Sequence, residues 1–115
     1  MTIKELKQHM VGVPNYMRVT YLVFGGQGSV YVSILEWNYG KHQLKLKSEP
    51  KETFKAAVML RNLYIFPDDT EILIEGYPGD NEGDEPEWYS PNRIEIDITD
   101  KSIDIINEPE DEDDN

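Results

Sequence analysis

Residues 43–75 read QLKLKSEPKETFKAAVMLRNLYIFPDDTEILIE, and their patterning decides the fold class. Residues 43–47 alternate strictly, with Leu44 and Leu46 on one side and Lys45 and Lys47 on the other. That is the pattern of a half-buried strand with its lysines outward. Pro50 suits the first turn of a following helix, where its missing N–H is needed by no partner. Over 51–64, Phe54, Ala57, Val58, Leu60 and Leu63 form a wide apolar stripe fit to lie on a sheet. Pro67, Asp68 and Asp69 end that helix, and 71–75 is a short apolar strand. Strands combined with a packed helix specify an α+β domain.

Upstream, Thr2 and Glu5 have the spacing of a capping box, and Ile3, Leu6 and Met10 share one helical face. Gly12 and Pro14 end this short N-terminal helix. A strand over 17–24 is rich in β-branched and aromatic residues. Gly25, Gly26 and Gly28 interrupt it as a hairpin loop would, and 29–39 reads as the next strand. With 43–47 these strands suggest an antiparallel meander. Downstream, 77–91 is too long for an ordinary connection and is rich in glycine, proline and acid, as functional or mobile loops are. A hairpin closes the domain, with Ile94, Ile96 and Ile98 facing in, Glu95 and Asp97 facing out, and 103–106 returning.

The expected architecture is a single small α+β domain over 1–107. It holds one twisted antiparallel sheet of about five to six strands with the main helix on one face. The acidic segment 108–115 repels itself and has nothing apolar to bury, so disorder is expected there.

The charge is uneven. The 115 residues carry 11 basic and 23 acidic side chains, a net −12. Residues 1–66 hold nine basic and four acidic groups (+5), and 67–115 hold two basic and 19 acidic (−17). The second half therefore carries the acidity. Such a balance argues against binding nucleic acid directly by neutralising phosphates, and against docking on an anionic membrane. No apolar run approaches the ~20 residues that span a bilayer. There is no cysteine, which excludes disulfides, thiolate chemistry and cysteine zinc sites. A cytoplasmic setting is the default.

Catalytic motifs are missing. His9 on the first helix and His42 in a turn have no partner motif, and no serine sits in a nucleophile elbow. The stretch Gly25-Gly26-Gln27-Gly28-Ser29 lacks the lysine and following helix of a phosphate loop. Asp80, Glu82 and Asp84 alternate like the start of a calcium loop. However, the sixth position is Glu85 rather than glycine, and the twelfth is Pro91 rather than glutamate. A non-enzymatic protein without metal or cofactor is the expectation.

What remains is the acidic surface. Phosphates recur every ~3.4 Å along a nucleic-acid strand. Same-face residues of a β-strand recur every ~6.6 Å. Glu95 and Asp97 thus lie two phosphate steps apart, and Asp104 extends the array sideways. Asp80, Glu82, Asp84, Glu85 and Glu87 continue it from the loop, with Trp88 and Tyr89 as aromatic anchors of the kind found at binding hot spots. In size and charge the chain resembles small acidic inhibitors that mimic DNA or RNA, including phage-borne anti-restriction and anti-CRISPR proteins. That resemblance implies a partner with a basic, nucleic-acid-binding site, such as a nuclease or defence effector.

Three other readings compete. The acid serves solubility alone in a structural or adaptor protein that binds through a sheet edge and aromatic surface. A pocket between sheet and loop takes a small ligand. Or the basic patch Lys41, Lys45, Lys47, Lys51 and Lys55 meets the acidic half of another copy, giving a homodimer. Lysines 45 and 47 also serve simply to protect a strand edge.

Overall fold

A computed structural model describes residues 1–23, 30–48, 54–76 and 87–108 of the chain. Helix α1 (Ile3–Met10) is followed by strands β1 (Arg18–Val23), β2 (Val30–Tyr31), β3 (Ile34–Asn38) and β4 (Gln43–Lys47). Helix α2 (Ala56–Leu63) leads to β5 (Glu71–Gly76), β6 (Glu87–Tyr89), β7 (Arg93–Asp97) and β8 (Ser102–Asn107). The α+β class is therefore observed. The single antiparallel sheet is not: the strands form two mixed four-stranded sheets, ordered β2-β1-β8-β7 and β3-β4-β5-β6.

Both sheets share one plan, an outer antiparallel pair on each side of a central parallel pair. In the second sheet, α2 is the crossover that lets β4 and β5 run parallel, as a parallel pair requires. In the first sheet, the parallel partners β1 and β8 come from opposite ends of the chain.

The expected strand over 29–39 is split. The Val32 N–H still donates to Val19 O (2.8 Å), but the next N–H, of Ser33, donates to Lys47 O (2.9 Å) in the other sheet. The cause is Phe54, which takes the place beside β1. Its N–H donates to Val32 O (2.8 Å) and its carbonyl accepts from Val19 N (3.1 Å). This extended segment also delays the second helix. Lys55 is the N-cap in β conformation, so α2 starts at Ala56 and not near Pro50.

Other expectations hold locally. The Thr2–Glu5 capping box is formed, and Ile3, Leu6 and Met10 are buried. β4 alternates as read, with Leu44 and Leu46 fully buried, but it lies between β3 and β5, so Lys45 and Lys47 do not protect a strand edge as expected. The 77–91 segment is not one connection, because β6 pairs with β5 through Ile74–Tyr89 and Glu75–Trp88. In the final hairpin Ile94 is half-buried, but Ile96 is 49% and Ile98 78% exposed. Ile96 shares the core-side face with its partner Ile103 but stays exposed because β7 is an edge strand, and only Ile98, which lies in the turn, does not face in as expected. The Gly25–Ser29 turn, Pro50, the acidic loop 80–86 and the tail beyond Glu108 lie outside the described residues.

One apolar cluster joins both sheets and both helices, including Leu6, Met59, Val19, Ile103, Leu44, Ile72 and Ile74. Beside β5, side chains of β6 and β1 close on the Gly76 backbone. A Cβ on Gly76 would lie 2.7 Å from the Tyr89 ring and 3.1 Å from Val23 Cγ2. Only glycine fits that approach.

Candidate functional site

Alternation along the first sheet sends Val19, Ile103 and Ile105 into the core, so the intervening residues populate its opposite face. Register aligns those residues in rows across the strands. Glu95 of β7 stands opposite Asp104 of β8, which pairs with Thr20 of β1, which pairs with Tyr31 of β2. The next row is Asp97, Ser102 and Arg18. Sequence reasoning placed Glu95, Asp97 and Asp104 together, and the structure does so.

Asp104 is the fixed point. Its Oδ1 accepts from Thr20 Oγ1 (2.6 Å) and from Ser102 Oγ (2.9 Å). Thr20 and Ser102 are only 6% and 7% exposed, so both hydroxyls use the carboxylate as their acceptor away from bulk water. Asp97 Oδ1 accepts the Asp100 N–H (3.0 Å), which shapes the β7–β8 turn. Lys101 in that turn adopts positive φ (57°). On the far side the Arg18 guanidinium donates to Tyr31 Oη (3.4 Å) and lies 5.6 Å from the ring centroid. Arg18, Thr20, Tyr31, Asp100, Ser102 and Asp104 line an open cleft of about 470 Å³.

The acidic rows carry a counter-charge. Arg93 ion-pairs with Glu95 beside it and with Glu108 at the end of the described chain. Glu108 first, then Glu95, stabilises the guanidinium and raises its already high pKa. Asn92 clamps the same end, its Nδ2 donating to Glu108 O (2.6 Å) and its Oδ1 accepting Glu108 N–H (2.9 Å).

The remaining expected site residues lie elsewhere. Glu87, Trp88 and Tyr89 belong to β6, in the other sheet. Trp88 is half-buried under Lys45, whose Nζ is 4.5 Å from a ring centroid, with Lys47 at 5.8 Å. Tyr89 packs against the core and donates to Glu87 Oε2 (3.0 Å), and that hydrogen bond raises the phenol pKa. Asp80, Glu82, Asp84 and Glu85 are outside the described residues. Sequence reasoning missed Arg18, Thr20, Tyr31 and Ser102. The one signal for them was Thr20, a hydroxyl amid the apolar run Val19–Val23 of β1.

His42 sits at positive φ (52°) after the turn between β3 and β4, 3.9 Å from Asp69. Among the described residues no group of three or more histidine or acidic side chains is placed to hold a metal ion. No helix there is long and apolar enough to cross a membrane. Compared with known protein families, curated proteins and solved structures, the chain matches none.

Proposed function

We propose that the chain is a non-enzymatic, acidic binding protein of the cytoplasm. The β7–β8 face occupies a basic, nucleic-acid-binding site on a partner protein such as a nuclease or defence effector. The observation that carries this reading is the direct opposition of Glu95 and Asp104. Like charges placed opposite each other across a β-ladder oppose folding. A surface that keeps them, and holds one with two buried hydroxyls, departs from local rules in the way functional surfaces do. Asp97 and Asp100 extend the array, and the net −12 of the chain steers a cationic partner toward it.

The test is capture from a bacterial lysate with the tagged protein, with and without competing DNA and RNA. The expected outcome is retention of a basic nucleic-acid enzyme, released by nucleic acid and by raised salt. The Glu95→Lys/Asp97→Lys double variant should lose it. Retention that ignores competitor, salt and this charge reversal would remove the acidic face from the function.

A further inference from the structure

β7 closes one side of its sheet. It pairs with β8, and among the described residues no strand pairs with its other edge. Five residues whose outer edge has no partner among the described residues, with an exposed isoleucine, template another strand unless something blunts them. Here the sequence selects the template. Arg93-Ile94-Glu95-Ile96-Asp97 is complementary to its own reverse. An antiparallel second copy centred on Glu95 sets Arg93 of each chain opposite Asp97 of the other, and Ile94 opposite Ile96.

Neighbouring registers lose this match. An axis one residue later sets Glu95 against Asp97. An axis one residue earlier sets Arg93 against Glu95 but leaves Asp97 opposite Pro91, which lacks an N–H for the ladder. The other free edges are poorer. Among the described residues β2 has two residues and β6 three, and β3 carries a single charge, Glu36, so it has no opposite charge to set against its own copy.

We propose that two copies of this chain associate through β7, antiparallel about a two-fold axis at Glu95. The axis is isologous, so each favourable pair occurs twice. The opposition of the two Glu95 side chains works against it, tempered by the Arg93 that each already binds. A short edge buries little area, so the dimer forms and dissociates with concentration. In it the acidic faces of both copies lie on one side of a continuous sheet. Asp104, Glu95, Glu95 and Asp104 then form a row with steps of about 4.8 Å.

Sedimentation equilibrium of the full chain without any partner tests this independently of the functional reading. The wild-type mass should rise toward the dimer with concentration. Arg93→Glu sets acid against acid, and Asp97→Arg sets arginine against arginine, so each variant alone should associate at least tenfold more weakly. Mixed in equal amounts they are complementary at both positions and should dimerise at least as strongly as wild type. A wild type that stays monomeric to millimolar concentration, or a mixture no better than its components, overturns the proposal.

A second measurement does not depend on those variants folding. The chain has no cysteine, so Glu95→Cys places its only thiol on the axis. Cross-strand Cα spacing there matches disulfide geometry. Mild oxidation should cross-link this variant far faster than the exposed control Tyr39→Cys. Equal rates would count against the axis.

Discussion

Glu95 and Asp104 are direct cross-strand partners in β7 and β8, and Asp104 is held from the other side by Thr20 at 2.6 Å. Two carboxylates side by side would normally weaken a ladder. Here one is neutralised by Arg93 and the other accepts two hydroxyls. The acidic face is thus held at Asp104 by two hydroxyls and tied through Arg93 to Glu108.

Removing Asp104 should expose what its carboxylate does. Asp104→Ala leaves the Thr20 and Ser102 hydroxyls without their acceptor and should cost about 1–3 kcal/mol in urea unfolding. Combining it with Thr20→Val removes one orphaned donor, so the double variant should lose less than the two single costs summed. Strict additivity would mean the hydroxyls do not depend on Asp104.

Gly76→Ala drives a methyl into the Tyr89 ring and Val23. The expected loss is about 1–3 kcal/mol, the range for overpacking. In a Tyr89→Ala background the same substitution should cost less, because the 2.7 Å clash disappears. A stability equal to wild type in Gly76→Ala would show that the ring moves aside freely.

Thr70 is fully buried, and its Oγ1 has no hydrogen-bond partner among the described residues. Its backbone already serves α1, the carbonyl accepting from Ile3 N (2.9 Å). Thr70→Val keeps the shape and removes the unpaired hydroxyl, so it should stabilise the protein by about 1 kcal/mol. Thr70→Ser keeps the hydroxyl and should give no gain. A destabilised Thr70→Val would reveal a partner for that oxygen.

Acid should act through surface pairs. The Lys7 ammonium, 2.6 Å from Asp68, holds that carboxyl below its ordinary pKa, and Lys47 does the same to Glu36. A carboxyl whose pKa is depressed by folding contributes stability above its unfolded pKa. That contribution fades as pH falls through the lower, folded value. Both pairs are solvent-screened, so the titration is the sensitive readout rather than the melting temperature. An NMR titration should find Asp68 ionising below the usual range, and returning to it in Lys7→Met. An Asp68 titration unmoved by Lys7→Met would dissociate the pair.

Much of the local structure was legible in the sequence. The Thr2–Glu5 box, the alternation of 43–47 and the outward Glu95 and Asp97 each depend on residues close together in the chain, where side-chain period and capping chemistry act directly. What tertiary structure alone decided is how those pieces divide between two sheets. Val32 and Ser33 read as one continuous strand, and only the arrival of Phe54 beside Val19 parts them. The pairing of β1 with β8 brings Thr20 to Asp104 across 84 residues. Apolar alternation announces that a strand will bury one face. It carries no record of which strand lies beside it, because partner choice is settled by the packing of the whole core.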